Sequence, residues 1–583
     1  MARRLRQIVL VELPAWQLLV LAAVAGVISA ASLFGLNFIS GRDAFWQFPK
    51  GTIGGSQVDM AQILAVYFYY VQSPWQLPLF QVAALGTPDG ANAIMMDVVP
   101  IVALAGKLIH SLTGATVNLY GGFLFLCFAL PGVMMTLVLI VAGIRNALAA
   151  IIGAIFANAM PALLFRWGHL PLEPHFLLIG AFALYLLSVQ RPASRGVARA
   201  WLGWLTLAYL INIYLFAMVG VVWLSGLLQG RLNGLTTTRA MVRNGALTIA
   251  VVMSVIVLGG QFGGGGGLPF GQYGPYSMNL LSPFMPQLSG LVPGLGGVID
   301  PTGSQYEGFN YLGLGLLLAS IIVLPIEAVW LARNLRRHVV LLVAFVLVTA
   351  FSISHRVFAG GSLLFELPMP IYLEAPLGIF RSSGRFFWLI AYAQVAMVVM
   401  LAFRRQRPVL ACCVAVAAIL QLVDVQPLRQ QIIASIAAGP SDVDIDRDQV
   451  ARLVSEASLV EVVPSFQCSE TETRGETDKL MRTNMELMLA TARANVPTNT
   501  VYLSRQSYGL TMADILRAPS RAREMKRQRR DEYCEREIEQ ARGGGRPGEV
   551  FVLLADQPSQ QEMAPGITCS PLSWARYCER SKE

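Results

Sequence analysis

Two aspartates near the amino terminus stand beside aromatic-rich sequence. Asp59 opens the stretch "DMAQILAVYFYYVQSPW", and Asp43 lies in "SGRDAFW", nearer the first long apolar run. A carboxylate in the first turn of a helix is stabilised by the helix dipole, so capping alone accounts for Asp59 on local grounds. A fixed carboxylate can also accept the proton of an attacking hydroxyl group. The local sequence leaves both roles open.

Basic side chains that could hold a phosphate recur in "FRWGHLPLEPH", "SHRVF" and "GIFRSSGRFFW". They are Arg166, His169, Arg356, Arg381 and Arg385. The planar guanidinium of arginine matches phosphate geometry and stacks on aromatic rings. Each arginine also stands near the end of an apolar run, where a long side chain can reach lipid headgroups without any catalytic role.

The motif "GHLPLEPH" contains three residues of metal-ligand type, His169, Glu173 and His175. Pro171 and Pro174 are incompatible with a helical pair of histidines on one face. We therefore expect hydrogen bonds from these side chains rather than a zinc site. A divalent metal ion stays open as a cofactor.

The elements that must position these residues are apolar. Of the 583 residues, 55% are hydrophobic and 14% charged, and the mean hydropathy is +0.55. This composition predicts a polytopic α-helical membrane protein. The net charge of +9 comes from clusters such as MARRLR, RNLRRH and FRRQRP at the ends of apolar runs, where it indicates topology rather than binding to nucleic acid.

If all the basic clusters lie on one side of the membrane, the apolar runs must be divided into about 13 spans. Two divisions depend on single features: Pro131-Gly132 splits one run, and Asn212 with Tyr214 splits another. The predicted spans lie near 15–37, 98–112, 118–130, 133–144, 147–160, 176–190, 200–211, 214–229, 244–260, 309–332, 339–354, 385–403 and 408–424.

The same topology predicts a multi-pass membrane protein with a cytoplasmic amino terminus and an uncleaved first span. Residues 1–426 form the transmembrane domain. Its periplasmic loops are 38–97, 161–175, 260–308 and 355–384. The loop 260–308 contains five consecutive glycines, and its length favours either a lid over a site or disorder.

Residues 427–583 change to charged, soluble-type sequence and predict a periplasmic α/β domain. Strand-like runs "SLVEVVPSF" and "EVFVLLADQ" alternate with helical "DKLMRTNMELMLATA" and "RAREMKRQRRDEYCEREIEQ". An oxidising compartment allows two disulfides, in three possible pairings, among the four cysteines of this region. These are Cys468, Cys534, Cys569 and Cys578.

Several motifs together resemble a known superfamily. The Asp that opens a juxtamembrane helix, a following Trp-x-x-Pro, and the Asp-x-x-Pro of Asp97 and Pro100 resemble GT-C integral-membrane glycosyltransferases, which use polyprenyl-phosphate sugars. "FRWGHLPLEPHF", "QYEGFNYLGLG", "GIFRSSGRFFW" and "QLVDVQP" are similar to functionally uncharacterised bacterial polytopic membrane proteins grouped with those enzymes.

The resemblance implies a catalytic acid in the first periplasmic loop, Asp59, with Asp43 as its rival. Where the superfamily often has a second acid, this chain has Met60, which disfavours a metal held by paired carboxylates. The substrate-binding residues implied are the five basic residues named above together with Glu173, His175, Glu307, Asp97 and Tyr214.

The implied function is transfer of a sugar from a polyprenyl-phosphate donor to a glycan, lipid or protein acceptor of the cell envelope, at the periplasmic face of the bacterial inner membrane. Two alternatives stay open. One is a transporter or flippase, although the charges gather on one face and no internal repeat is visible. The other is a non-catalytic protein of envelope polysaccharide assembly.

Overall fold

The computed structural model describes most of the chain. The described residues are 11–49, 59–191, 194–261, 273–297, 299–441, 445–470, 473–503, 508, 510, 514, 517–518, 521–543, 546, 548–554, 561 and 563–580. The five glycines of the predicted lid, residues 263–267, lie outside these ranges.

The first and larger part of the chain is helical. Its helices α1 to α16 are, in order, Ala15–Phe34, Asp59–Gln72, Pro100–Thr113, Tyr120–Val141, Ala147–Asn158, Pro161–Phe165, Phe176–Gln190, Arg195–Tyr209, Ile213–Leu232, Thr238–Gly259, Leu314–Leu335, Val339–Ile353, Ile371–Gly378, Trp388–Phe403, Pro408–Asp424 and Gln426–Ala437. Two antiparallel hairpins interrupt them: β1 (Gln81–Val82) with β2 (Ala91–Asn92), and β3 (Arg356–Ala359) with β4 (Ser362–Glu366).

Long apolar helices identify a multi-pass membrane protein. By length and composition, the described residues contain 8 helices that could cross a membrane, or up to 9 if the bent pair α15 and α16 is one span. The predicted number of about 13 spans is not confirmed. Several predicted spans are shorter than a bilayer requires, such as α3, which has 14 residues.

Helix α4 shows why one predicted break is wrong. It runs unbroken from Tyr120 to Val141 and contains Pro131. Proline removes one helical hydrogen bond and usually kinks or ends a helix. Here the next N–H, that of Gly132, donates to the Asn158 side-chain oxygen on α5 at 2.9 Å. A polar group from a neighbouring helix therefore satisfies the backbone at the disturbed turn.

The predicted break at Asn212 is confirmed. Helix α8 ends at Tyr209 and α9 begins at Ile213. The Asn212 side chain accepts a hydrogen bond from the backbone N–H of Tyr214 at 2.8 Å, which is the capping role that asparagine fills at a helix start. This cap fixes Tyr214 in the first turn of α9.

Helix α2 begins at Asp59, but its surroundings differ from those expected. The sequence predicts a helix lying at the membrane surface, anchored by its aromatic residues. Instead Tyr67, Tyr69 and Tyr70 are fully buried, and only Trp75, beyond the helix end, is exposed. The Tyr69 hydroxyl donates to the backbone oxygen of Val496 at 2.6 Å. The carboxyl-terminal part of the chain contacts this helix, and the buried tyrosines do not act as the exposed membrane anchors that the sequence predicts.

The described residues of that carboxyl-terminal part contain a mixed sheet and three α-helices. The helices are α17 (Arg447–Glu456), α18 (Arg474–Ala494) and α19 (Ala522–Gly543). The strands are β5 (Leu459–Val463), β6 (Glu549–Leu553), β7 (Ile567–Pro571) and β8 (Arg576–Arg580), in the order β5-β6-β8-β7. Strands β5 and β6 are parallel, and the other neighbours are antiparallel. The disulfides are Cys468–Cys534 and Cys569–Cys578.

Asp424, in the motif "QLVDVQP", joins three separate segments. Its buried carboxylate accepts hydrogen bonds from the Ser289 hydroxyl, from the Tyr311 hydroxyl at 2.9 Å and from the backbone N–H of Leu314 at 2.8 Å. Leu314 is the first residue of α11, where an anion is favoured by the free N–H groups and the helix dipole. The carboxylate thus holds part of the long loop against the start of α11.

We predict that Asp424→Asn lowers the free energy of unfolding by about 1–3 kcal/mol, because an amide group cannot accept all of these bonds. Thermal unfolding of the purified chain in detergent measures the change. Asp446→Asn is the matched control. Asp446 caps α17 at an exposed position, and asparagine caps equally well. Equal melting temperatures for Asp424→Asn and the unsubstituted chain would contradict the prediction.

Candidate functional site

A cavity of about 1130 Å³ lies between the helical part and the carboxyl-terminal part of the chain. The helical part lines it with segment 81–97, with His169 and with residues 379–385. The two parts are joined at its rim, where the N–H of Thr498 donates to the oxygen of Ala84 at 2.9 Å. Most of the polar residues predicted to act together lie on or next to this cavity.

Asp59 contacts His169, which lines the cavity. The distance between Asp59 Oδ2 and His169 Nδ1 is 3.3 Å, and the two side chains are 19% and 14% exposed. Asp59 is the first residue of α2, and His169 lies between α6 and α7. Carboxylate and imidazole are therefore close enough to share a hydrogen bond, and both side-chain types can accept or release a proton.

Gln62, one turn into α2, holds two backbone segments beside this pair. Its side-chain N–H group donates to the oxygen of Tyr502 at 3.0 Å and to that of Met96 at 3.3 Å. Tyr502 is thereby held near Asp59. The negative charge of Asp59, together with burial, raises the pKa of the Tyr502 phenol. Sequence reasoning missed Tyr502, because nothing in its neighbourhood marks it.

Arg166, Glu307 and Arg385 form a buried ionic cluster beside the cavity. Glu307 Oε2 lies 2.6 Å from Arg166 Nη1 and 2.6 Å from Arg385 Nη2. Arg166 also donates to the backbone oxygen of Glu307 at 3.2 Å. Burial would raise the pKa of Glu307, but the charges of Arg166 and Arg385 outweigh it and lower that pKa. Two cations share one anion, which leaves a positive charge in excess.

Glycine makes this cluster sterically possible. The loops "QYEGFNY" and "FRSSGRF" touch through their backbones, and a Cβ added to Gly384 would lie 2.6 Å from Gly308 Cα. The Asn310 amide then donates to the backbone oxygens of both glycines at 2.9 Å. This contact places Glu307 and Arg385, each one residue from a glycine, side by side.

Three further predicted residues lie on the cavity. Arg381 lines it and stacks over the Tyr276 ring, with 5.3 Å to the ring centre, and none of the carboxylates that the structure describes is within ion-pair distance of its guanidinium. Asp97 reaches it in a left-handed conformation, with φ 58°. Tyr214 lies under the Arg385 guanidinium, at 5.0 Å, and accepts from the N–H of Ser382.

The remaining predicted residues are not brought to the cavity. Asp43 caps a short 3-10 helix by accepting from the N–H of Phe45 at 3.1 Å. Arg356 pairs with Glu366 across the β3–β4 hairpin at 3.3 Å, partly exposed. Glu173 and His175 are fully buried among the helices, where His175 Nδ1 lies 2.8 Å from the Tyr392 hydroxyl.

The donor set does not fit a paired-carboxylate metal site. Asp59 is followed by Met60, which is fully buried. Within the ranges that the structure describes, no three His, Cys, Asp or Glu side chains form a group that could hold a metal ion. The chemistry that the arrangement can support is proton transfer by Asp59 and His169 beside an excess of arginine charge.

Comparison with known families decides membership. Residues 23–426 match the family described as "Domain of unknown function (DUF6311)". The chain belongs to this family. The matched DUF6311 region contains Asp59, the ionic cluster and Asp424, and it ends before the sheet. No curated protein matches the chain.

Three solved structures are similar to this DUF6311 protein. The archaeal oligosaccharyltransferase AglB from Archaeoglobus fulgidus, with an inhibitory peptide and a dolichol-phosphate, has a TM-score of 0.42 and 11% identity over 93% of this chain and 69% of that chain. The oligosaccharyltransferase of the same organism in complex with Zn and sulfate has a TM-score of 0.38 and 13% identity over 92% of this chain and 68% of that chain. The oligosaccharyltransferase of that organism tethered with an acceptor peptide has a TM-score of 0.39 and 12% identity over 85% of this chain and 64% of that chain.

We predict that Glu307→Gln destabilises the protein by about 3–5 kcal/mol, because two buried guanidinium groups lose their counter-charge. Denaturant or thermal unfolding in detergent measures this. Glu366→Gln, which removes the partly exposed partner of Arg356, is the control and should change stability by less than about 1 kcal/mol. Similar losses in both variants would contradict a special role for the cluster.

The lowered pKa of Glu307 predicts a pH dependence. Below the unfolded glutamate pKa of about 4.3, the unfolded chain takes up a proton that folded Glu307 does not, so stability falls as pH falls towards the folded pKa. Above the unfolded pKa, Glu307 is charged in both states and the stabilisation is complete. The difference in melting temperature between the unsubstituted chain and Glu307→Gln should therefore shrink between about pH 5 and pH 3. A constant difference would refute this.

Proposed function

We propose that this protein is a membrane glycosyltransferase that moves a sugar from a polyprenyl-phosphate donor to an acceptor of the cell envelope. The observation that carries the proposal is one cavity that His169, Arg381 and Arg385 line on its helical side. Asp59 contacts His169, and Arg166 and Glu307 complete the positively charged cluster with Arg385. The reaction needs a proton acceptor and a phosphate-binding site together.

The chemistry follows from these groups. The acceptor oxygen attacks the anomeric carbon of the donor sugar, while the bond from that carbon to the phosphate oxygen breaks. The acceptor proton passes to Asp59, with His169 as its hydrogen-bonded partner. Arg381 and Arg385 lie where they could stabilise the charge that builds up on the departing phosphate. Atoms and charges balance, since polyprenyl phosphate leaves as an anion.

The two ends of one helix support a site on the extracytoplasmic face. Arg385 lies at the cavity, just before α14, and Arg404 follows the other end of α14, roughly 28 Å away at the helical rise per residue. Arg404, Arg405 and Arg407 gather there around the buried Glu327. Basic residues mark the cytoplasmic side of membrane proteins. The cavity then opens on the opposite side, where lipid-linked sugars would be used.

Asp59→Asn should lower the rate of sugar transfer by about 100-fold or more, because an amide cannot accept the proton. Membranes containing the full chain or a variant receive a panel of polyprenyl-phosphate monosaccharides with radiolabelled sugars. Loss of the labelled donor, separated from labelled products by thin-layer chromatography, measures transfer. Asp43→Asn is the matched control, since asparagine retains its capping bond and the rate should be unchanged.

Other outcomes of this assay would reject the assignment. If Asp59→Asn keeps the full rate and Asp43→Asn loses it, the catalytic carboxylate is Asp43. If the unsubstituted chain transfers no sugar from any donor of the panel, the enzyme proposal fails, and a transporter or an assembly protein takes its place.

A further inference from the structure

The cavity has a second wall that the proposed reaction does not use. We call the residues that the carboxyl-terminal part contributes to it the carboxyl-terminal wall. They include Glu461, Gln467, Tyr508, Tyr533, Glu537 and Gln540. This wall is rich in amide, carboxyl and phenol groups and has one arginine, Arg536, whereas the helical wall has Arg381 and Arg385.

The carboxyl-terminal wall is held in place by covalent and hydrogen bonds. The disulfide Cys468–Cys534 joins the residue after Gln467 to the residue after Tyr533. Glu537, one turn further along α19, accepts from the backbone N–H of Ser465 at 2.5 Å. The segments that supply the wall are therefore tied together at two points.

One polar group in this wall lacks a hydrogen-bond partner among the residues that the structure describes. Gln467 is only 9% exposed, and its side-chain oxygen has no hydrogen-bond partner among the described residues. A buried amide oxygen left without a donor costs about 1–3 kcal/mol. Because Gln467 lines the cavity, a ligand hydroxyl in the cavity can supply the missing bond.

The neighbouring groups suit a hydroxyl-rich ligand. Tyr508 and Tyr533 pack together with 5.7 Å between ring centres and both line the cavity. Burial raises the pKa of Glu537 to about 7, so near neutral pH this carboxyl group can donate as well as accept a hydrogen bond. Sugars present both hydroxyl donors and acceptors, together with an apolar ring face that packs on aromatic rings.

An extended peptide is a poorer match, because the nearby sheet edge is occupied. Strand β5 is an edge strand of its sheet. Its Val460 N–H already donates to the oxygen of Pro497 at 2.9 Å, and the Asn499 side chain bonds both the N–H and the oxygen of Val462. Binding by strand addition requires free backbone groups along such an edge.

We infer that the carboxyl-terminal wall is the acceptor subsite and that it binds a neutral saccharide. This inference rests on the proposed function, since it places the acceptor opposite the donor phosphate in one cavity. The cavity of about 1130 Å³ exceeds the upper range for a single small-molecule site, about 1,000 Å³. It therefore has room for a donor sugar and an acceptor sugar side by side.

Saccharide binding can be tested without donor or turnover. The full chain in lipid nanodiscs is mixed with the methyl glycosides of glucose, galactose, mannose and N-acetylglucosamine, and saturation-transfer NMR records contact. We expect at least one glycoside to bind. Gln467→Met keeps the side-chain volume but removes the amide, and should weaken that binding at least about fivefold.

The control is Gln431→Met. Gln431 also has a side-chain oxygen without a partner among the described residues, but it lies on α16, away from the cavity, so binding should be unchanged. Gln540→Met, at an exposed position of α19, is a second wall variant that leaves the fold intact. It should also weaken binding.

The outcomes separate this inference from the proposed function. No binding by any of the four glycosides, or binding that both wall variants leave unchanged, overturns the inference even if Asp59→Asn abolishes transfer. Tighter binding of methyl glucuronide than of every neutral glycoside overturns it as well. Conversely, if a glycoside binds the unsubstituted chain and Gln467→Met loses that binding, the wall is a saccharide site even if Asp59→Asn retains full transfer.

Discussion

The buried contact between Glu307 and two arginines is the interaction on which the rest of the site depends. Arg166 and Arg385 come from segments more than 200 residues apart in sequence, and Glu307 from a third. None of these charges is stable in a protein interior alone, because desolvation costs several kcal/mol for each ion. Together they fix three loops against one another. His169, three residues after Arg166, and Arg381, four residues before Arg385, are positioned as a consequence.

Much of the helical part could be predicted from sequence, because apolar runs and caps are local signals. The cap at Asn212 is an example. The prediction of a helix break at Pro131 was wrong for a physical reason. Asn158, whose side chain accepts the hydrogen bond of the next backbone N–H, lies on another helix. Tyr69 of α2 was predicted as a membrane anchor and is buried instead, since its hydrogen-bond partner Val496 lies 427 positions away along the chain. Periodicity within a segment carries no information about what will cover it.

The candidate site divides along the same line. Residue type and position near the ends of apolar runs indicated His169, Arg381 and Arg385 as candidates, and the GT-C resemblance indicated Asp59. Neither indicated the pairing of Glu307 with arginine. Nothing in the sequence indicated the carboxyl-terminal wall, although the alternation in β5 does place Glu461 opposite the buried Val460 and Val462. Strands β7 and β8, short and partly polar, were also missed. Their pairing through Cys569 and Cys578 becomes evident only in three dimensions.

The burial of α2 has a consequence for biosynthesis. A ribosome releases the helical part first, and domains generally fold as they emerge. At that stage Tyr69 lacks its partner Val496, Gln62 lacks Tyr502, and the cavity has one wall. The helices can insert and pack, but the site closes only when the last segment of the chain docks. A shortened chain that ends after α16 would therefore insert its helices correctly into the membrane but would have no enclosed site.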